Sequence, residues 1–568
     1  VTPTDLRSPN NGQTGRRDWI GITVIIIIAA AVIIYAGREV TFIIDEWKLI
    51  QSRTDPTTAS LFDSLNNHLM VVPIGITQIL YRLFGISSHF PYRLLLLATH
   101  LAAATALFAY LRKRISYWST LAITAVFALY GYAAAILIWP ISLGWTLAVF
   151  GGMMALLLLD RKHLATDIGA CGALALSVAA TSIGVPFALG VAVELAIGRQ
   201  WRKLWIPGVP LVGYVIWYFA YSPGRLSSAS LETTLRFAEE LAAQTIGTLL
   251  GVSARGIFAN IALGLVVVVL ATAWWRLGKS RSPRLVGLAT TLIIMIGALA
   301  YGRASSGLNG WFSYAVGAVL LLLVGEIFKD SSNPRRLIQI LIVGVAIWSI
   351  IWNLGQLNNE SHRFRLITET EKTQLAVLGV INKQVPDSFM PGPFLQTLTT
   401  GRYREVVLEF GTPAFTIAEA KSAHRLARRN GDETLVRGLD LRALPRATGT
   451  PEIRITGTGT PVGQLTVRKG QSLTTTGTAT GTTTGCAEII PTAGPAIVTI
   501  RNPSLNLVIE AIDQRATIAA GILKPGSQPI GQLSAGKQTV INAPAVPRLG
   551  QWTLKVVSSG TVRICAGN

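Results

Sequence analysis

Acidic residues are scarce in this chain. Asp and Glu number 29 against 50 Lys and Arg, and all charged residues fill only 14% of 568 positions. A soluble domain carries roughly a quarter. With half the residues hydrophobic and a mean hydropathy of +0.47, the deficit points to a membrane protein with room for more than one domain. Cysteine is scarcer still. Three cysteines exclude a disulfide scaffold and a Cys-rich metal site. No His-x-x-x-His or Cys-x-x-Cys pair exists to found a structural zinc site. A Walker-type phosphate loop and a Ser-centred nucleophile elbow are also missing. The net charge of +21 suggests a nucleic-acid binder at first sight. The cations, however, stand in short clusters between apolar runs, where they set membrane topology, and nucleic acid is not expected as a partner.

Long apolar runs are what the chain has in abundance. After a polar stretch at 1–18, expected to be disordered, Arg16 and Arg17 precede the run Trp19 to Tyr35. Further runs fall at about 91–111, 119–139, 141–159, 166–182, 184–198, 204–221, 256–275, 285–301, 311–328 and 336–353. That gives about eleven expected crossings at bilayer length. The pair 166–182 and 184–198 is broken by Gly184 and Pro186, and reads as two short helices or a re-entrant hairpin. Cation clusters at 16–17, 112–114, 161–162, 199–203, 276–284 and 329–336 alternate with turns that hold almost none, Arg303 being the exception. The alternation places the N-terminus in the cytoplasm of a multi-pass plasma (inner) membrane protein. The loop 37–90 and everything from about 354 are then extracytoplasmic.

The first outer loop contains 69–85, apolar at helical spacing, which reads as a helix lying on the membrane surface; 231–250 is a second candidate. The tail changes character twice. Residues 354–445 are mixed and charged, with an amphipathic helix expected over 361–384 from Phe364, Ile367, Leu375, Leu378 and Ile381, and another near 417–429. From about 446 to 568, short alternating runs between Gly, Pro and Asn turns predict a β-sandwich or jelly roll. Cys486 and Cys565 both fall in strand-like sequence there. Outside the cytosol they could pair, which would close a loop of about 80 residues.

Ionisable groups concentrate in the first outer loop. Asp45 and Glu46 are adjacent, Trp47 follows, and Asn66, Asn67 and His68 end its polar part. Adjacent carboxylates face different ways, so one can take a proton from a hydroxyl while the other holds a partner. A solvated pair is the plain alternative. His68 could bind phosphate or a metal, and Asn67 could cap the next helix or touch substrate. Arg303, in the Gly-Ser turn after Tyr301, has the fork that grips phosphate, though an interface anchor would look the same. Arg82 and Arg93 are further candidates, with snorkelling to headgroups as the alternative. Trp47 could stack on a sugar ring or belong to an aromatic belt.

An Asp-Glu pair shortly after the first span, a surface helix in the same loop, about eleven spans and an extracytoplasmic tail together resemble the GT-C superfamily of polyprenyl-phosphate-sugar-dependent glycosyltransferases. That group includes protein mannosyltransferases, arabinosyltransferases and the enzymes that add aminoarabinose to lipid A. The stretch from Asp45-Glu46-Trp47 through "NNHLMVVPIGITQILYRLFG" to "FPYRLLLLATHL" is also similar to bacterial membrane proteins of this kind. The resemblance covers about 19–353. It implies a GT-C-like catalytic domain there, with Asp45 as base and Glu46 as its neighbour. It also implies a polyprenyl-phosphate sugar donor in the bilayer, and a cell-wall glycan, glycolipid or protein as acceptor. Transfer would be a single inverting displacement, with a need for a divalent cation left open. The β-rich tail is similar only in architecture to accessory carbohydrate-binding modules. A transporter or flippase, or a non-catalytic protein that displays the β-domain, is the alternative. Transporters bury ionisable groups near mid-membrane, whereas Glu194 and Glu326 here lie near span ends.

Overall fold

A computed structural model describes residues 16–53, 61–65, 67–161, 163–221, 229–278, 282–329, 336–392, 395, 398–442, 444–445, 465–468, 472–474, 486–490, 496–500 and 505–567. The expected strand at 452–457, the Thr-Gly stretch 475–485 and most of the polar N-terminus lie outside the described residues. The chain divides into two compact units. The first holds the residues up to Val40, Ser52–Phe84 and His89–Arg363; the second holds Thr41–Gln51, Gly85–Ser88 and Phe364–Asn568.

The first unit is a helical membrane protein. Among the described residues seven helices are long and apolar enough to cross a bilayer: Trp19–Gly37, Phe90–Arg112, Tyr117–Ile138, Pro140–Leu159, Ile257–Arg276, Pro283–Ser306 and Arg336–Ile381. Eleven crossings were expected, and length corrects that number. The other four runs do form helices, at Leu164–Ala180, Gly184–Ile197, Trp205–Tyr221 and Phe312–Ile327, but of only 14 to 17 residues. They rise about 21–26 Å, short of the roughly 30 Å hydrocarbon layer. Phe312–Ile327 is buried along most of its length, so protein rather than lipid surrounds it. The broken pair is a hairpin of two helices. Its turn reaches the first turn of the preceding helix, where Gly144 lies against the Ala180 carbonyl.

Two arginines and three carboxylates tie one end of this bundle together, with Lys113 and Lys329 pairing at the edge. Arg114 pairs with Glu326 at 2.6 Å and Asp160 at 3.7 Å, and Arg284 pairs with Glu194 at 2.6 Å and Asp160 at 3.3 Å. The Tyr110 and Ser282 hydroxyls donate to Glu326, and an Arg284 N–H donates to the Leu156 carbonyl. These groups sit at the ends of Phe90–Arg112, Leu143–Leu159, Gly184–Ile197 and Phe312–Ile327 and at the start of Pro283–Arg303. All five helix termini therefore meet on one side, the side of the Lys and Arg clusters.

The last span does not stop where hydropathy falls. Arg336–Ile381 is one helix of 46 residues, where a span and a separate amphipathic helix were expected. No proline interrupts 353–361, so the helix continues. Asn353, fully buried, anchors its apolar half. Its amide donates to the Thr248 carbonyl and its carbonyl accepts from the Tyr132 N–H. Gly131 lies against the Asn353 backbone, where no β-carbon fits.

In the second unit, Thr400–Phe410, Ile417–Ser422 and Arg425–Gly438 are helices, so the expected helix near 417–429 is two. Among the described residues eleven strands follow: β1 Leu444–Pro445, β2 Leu465–Arg468, β3 Ser472–Thr474, β4 Cys486–Ile490, β5 Ala496–Ile500, β6 Leu505–Ala511, β7 Ala516–Gly521, β8 Gln528–Leu533, β9 Lys537–Ala543, β10 Thr553–Ser558 and β11 Val562–Gly567. They form two antiparallel sheets, β1-β9-β6-β11-β4-β3 and β2-β5-β10-β7-β8. Alternation buries Thr539, Ile541 and Ala543 on β9 and Leu554 and Val556 on β10. Register makes Cys486 and Cys565 direct partners across β4 and β11. Opposed antiparallel residues have α-carbons about 4.5–5.5 Å apart, within the span of a disulfide.

The ion network generates a stability prediction. Arg284→Met strands Glu194 and part of Asp160, at a cost on the order of 3–5 kcal/mol. Adding Glu194→Leu removes the stranded charge. Melting in detergent should drop sharply for the single variant and recover by at least half in the double. Equal melting of both variants contradicts a coupled pair.

Candidate functional site

The acidic pair does not lie on an open loop. Asp45 and Glu46 open a helix, Asp45–Arg53, that belongs to the second unit, not to the membrane unit to which loop 37–90 was assigned. Hydrogen bonds hold the turn before it. The Thr41 N–H donates to Thr368 Oγ1 at 3.2 Å, the Ile43 N–H to Glu46 Oε2 at 3.1 Å and the Ile44 N–H to Glu371 Oε1 at 3.1 Å. Ile44 has φ 49°, a left-handed conformation that a β-branched residue adopts only under strain. Such strain costs on the order of 1–3 kcal/mol and collects at functional sites. Here it turns the chain so that Asp45 becomes the first residue of a helix, where the dipole favours an anion.

The two carboxylates have separate fates. Glu46 is 3% exposed and spent on its own turn, so its role is to shape the backbone. Asp45 is half-buried at the helix start. Trp47 corrects the expectation of a sugar-stacking residue. It is fully buried, donates to the Phe42 carbonyl at 3.1 Å and packs edge-on against Tyr403, so no ring face remains for a sugar.

Glu371 was missed by sequence reasoning. It lies on Arg336–Ile381, about 28 Å of helix rise past Trp352, beyond the apolar part of that helix. Its side chain is fully buried and its Oε2 has no hydrogen-bond partner among the described residues. Burial pushes its carboxyl well above the usual carboxylate range, and the nearby Glu46 charge adds to the shift. The signal was in the sequence. Phe364, Ile367, Glu371, Leu375 and Leu378 share one helix face, so an acid stands in an apolar stripe.

The first unit brings two predicted residues together. Arg303, at the end of Pro283–Arg303, donates to His68 Nε2 at 2.6 Å. His68 closes a tight turn whose backbone pairs Leu65 with His68, and Asn67 takes the left-handed conformation, φ 66°, that the turn requires. Asn67 is thus an exposed turn residue. Burial, and then the Arg303 charge, lower the His68 pKa to about 4. The ring is neutral at pH 7. Because Nε2 accepts, its proton sits on Nδ1, a shielded atom without a hydrogen-bond partner among the described residues. A cation beside an unsatisfied, shielded N–H donor suits an oxyanion.

Arg93 does not join them. Its guanidinium donates to the Gly37 carbonyl and lies 5.9 Å from the Phe90 ring, tying Phe90–Arg112 to the end of the first helix. His100 is a core group between Tyr314 Oη and the Ala128 carbonyl. Among the described residues no three His, Cys, Asp or Glu side chains gather to hold a metal ion. Comparison of the sequence with models of known protein families finds no match, and comparison with curated proteins finds none.

The raised Glu371 carboxyl sets a pH dependence. The native state holds a proton that the unfolded chain releases above about pH 4.5, so this group's stabilisation falls as pH rises from there towards its native pKa. The wild type should lose more melting temperature between pH 5.5 and 8 than Glu371→Gln, which keeps the acceptor for Ile44. Identical pH dependence in both would show that Glu371 carries no such proton.

Proposed function

We propose that the protein is a membrane glycosyltransferase that moves a sugar from a polyprenyl-phosphate donor to an extracytoplasmic acceptor. The observation that carries the reading is the Arg303–His68 pair, a guanidinium beside a neutral imidazole whose shielded Nδ1–H has no acceptor among the described residues. A leaving phosphate needs both features, positive charge and a directed donor. In the first unit, Arg303 and His68 are the residues we assign to the donor's phosphate; in the second, Asp45 is the residue that the resemblance implies as base for an acceptor hydroxyl. The acceptor oxygen forms a bond to the anomeric carbon as the bond to the phosphate oxygen breaks, with inversion. The polyprenyl phosphate leaves with the bonding electrons. Glu46 and Glu371 set the backbone that presents Asp45. The long apolar helices provide the bilayer setting in which a polyprenyl chain is soluble. In this reading the second unit lies outside the cytoplasm, as the alternation of cations implies.

Purified protein incubated with a panel of polyprenyl-phosphate sugars should release sugar from at least one. Asp45→Asn should slow that turnover about 100-fold or more, as expected for loss of a general base. Arg303→Ala should raise KM for the donor. Unchanged turnover in Asp45→Asn removes Asp45 as the base, and no turnover of any donor contradicts the transferase reading.

A further inference from the structure

The second unit carries a concentrated cationic surface that the proposed chemistry does not use. Arg425, Arg428 and Arg429 lie on the first turns of Arg425–Gly438. That helix packs on the connection between β7 and β8. The Asp432 carboxylate accepts from the N–H groups of Ile522, Leu523 and Lys524 and from Ser527 Oγ at 2.7–2.9 Å. An Arg428 N–H donates to the Leu523 carbonyl at 3.5 Å, and the Gln528 amide donates to the Arg429 carbonyl at 2.6 Å. These contacts set Lys524 beside the three arginines. Lys555 of β10 touches the same connection at Gly526. Five cations from three elements therefore crowd together. None of them forms an ion pair among the described residues, although Asp432 lies in their midst. Asp432 is spent on backbone donors. The Lys524 ammonium is held below the usual lysine range, by desolvation first and then by Arg425, Arg429, Arg428 and Lys555.

Crowding like charges is unfavourable, and the bonds that seat the helix on β7–β8 come mainly from the Asp432 carboxylate and the Arg429 carbonyl, neither of which needs a cationic side chain. Arginine forks spaced one helical turn apart, with two lysines alongside, suit a ligand that repeats its anionic groups. A single small anion would engage only part of the surface. We infer that this face binds an anionic glycan, a polysaccharide bearing carboxylate or phosphate groups along its chain. The choice of a glycan rests on the outer placement proposed above. Binding itself needs no sugar transfer.

The test uses the full chain in nanodiscs of neutral lipid, with fluorescent polygalacturonate as probe, dextran as the uncharged glycan and phosphatidylglycerol vesicles as a lipid polyanion. Polygalacturonate should bind at low salt, weaken as salt is added, and outcompete the vesicles; dextran should not bind. Arg425→Glu/Lys524→Glu should weaken binding at least tenfold. Arg515→Glu/Lys537→Glu makes the same change of charge about 20 Å away, at the other end of β7, and should weaken it less than threefold. Arg425→Gln/Lys524→Gln, checked for unchanged melting, should fall between. Failure of the wild type to bind, equal losses in the two Glu variants, or binding to vesicles alone overturns the inference. The assay contains no sugar donor, so its failure leaves the transferase reading to its own test.

Discussion

Two buried arginines hold the membrane unit in register. The chain has few charges to spend, and several of them meet at one end of the bundle, with Arg114 and Arg284 each bridging two carboxylates. Buried charges are tolerated only when paired, so each partner must arrive at the same depth. That condition fixes how far each helix is pushed along its axis. Arg284 opens the helix Pro283–Arg303 and Arg303 closes it, about 28 Å away along the axis. The network at one end thereby sets the level at which the guanidinium meets His68 at the other.

The second unit solves a different problem, how to hold a carboxylate at a sharp turn. Ile44 is strained, and the strain persists because its own N–H and that of Ile43 are caught by carboxylates. Glu46 reaches back from within the helix and Glu371 comes from a distant one. Burial first, and then the nearby Glu46 charge, push the Glu371 carboxyl above the usual carboxylate range. The arrangement over-determines the backbone before Asp45 and leaves Asp45 itself half-buried.

Much of this was legible in the sequence, and the failures have physical causes. The apolar runs are helical, although 119–139 is broken after Ala128, because apolar length is a property of composition. Four of them are shorter than the hydrocarbon layer, and one of these, Phe312–Ile327, is surrounded by protein and need not match the bilayer. The boundary at 354 was misplaced because hydropathy marks where lipid ends, not where a helix ends; only a proline or a cap would have stopped Arg336–Ile381. The pairing of Arg303 with His68 was prepared by naming both residues, although a separation of 235 positions gives no sign of contact. The burial of Trp47 and Glu46 was not legible, because a local motif does not reveal burial. Glu371 was readable as an acid on an apolar stripe. The alternation that announced the β-rich tail is cleanest in β9 and diluted by proline and glycine in β8.

The central claim is that Arg303 and His68 receive a lipid-linked phosphate. Photocrosslinking with a reactive polyprenyl phosphate, followed by peptide mapping, tests it most directly. The label should map to residues around 61–70 and 300–310 in the wild type. It should fall by at least tenfold in Arg303→Ala and be displaced by unlabelled polyprenyl phosphate. A label spread over the lipid-facing helices, and unchanged in Arg303→Ala, would contradict the account.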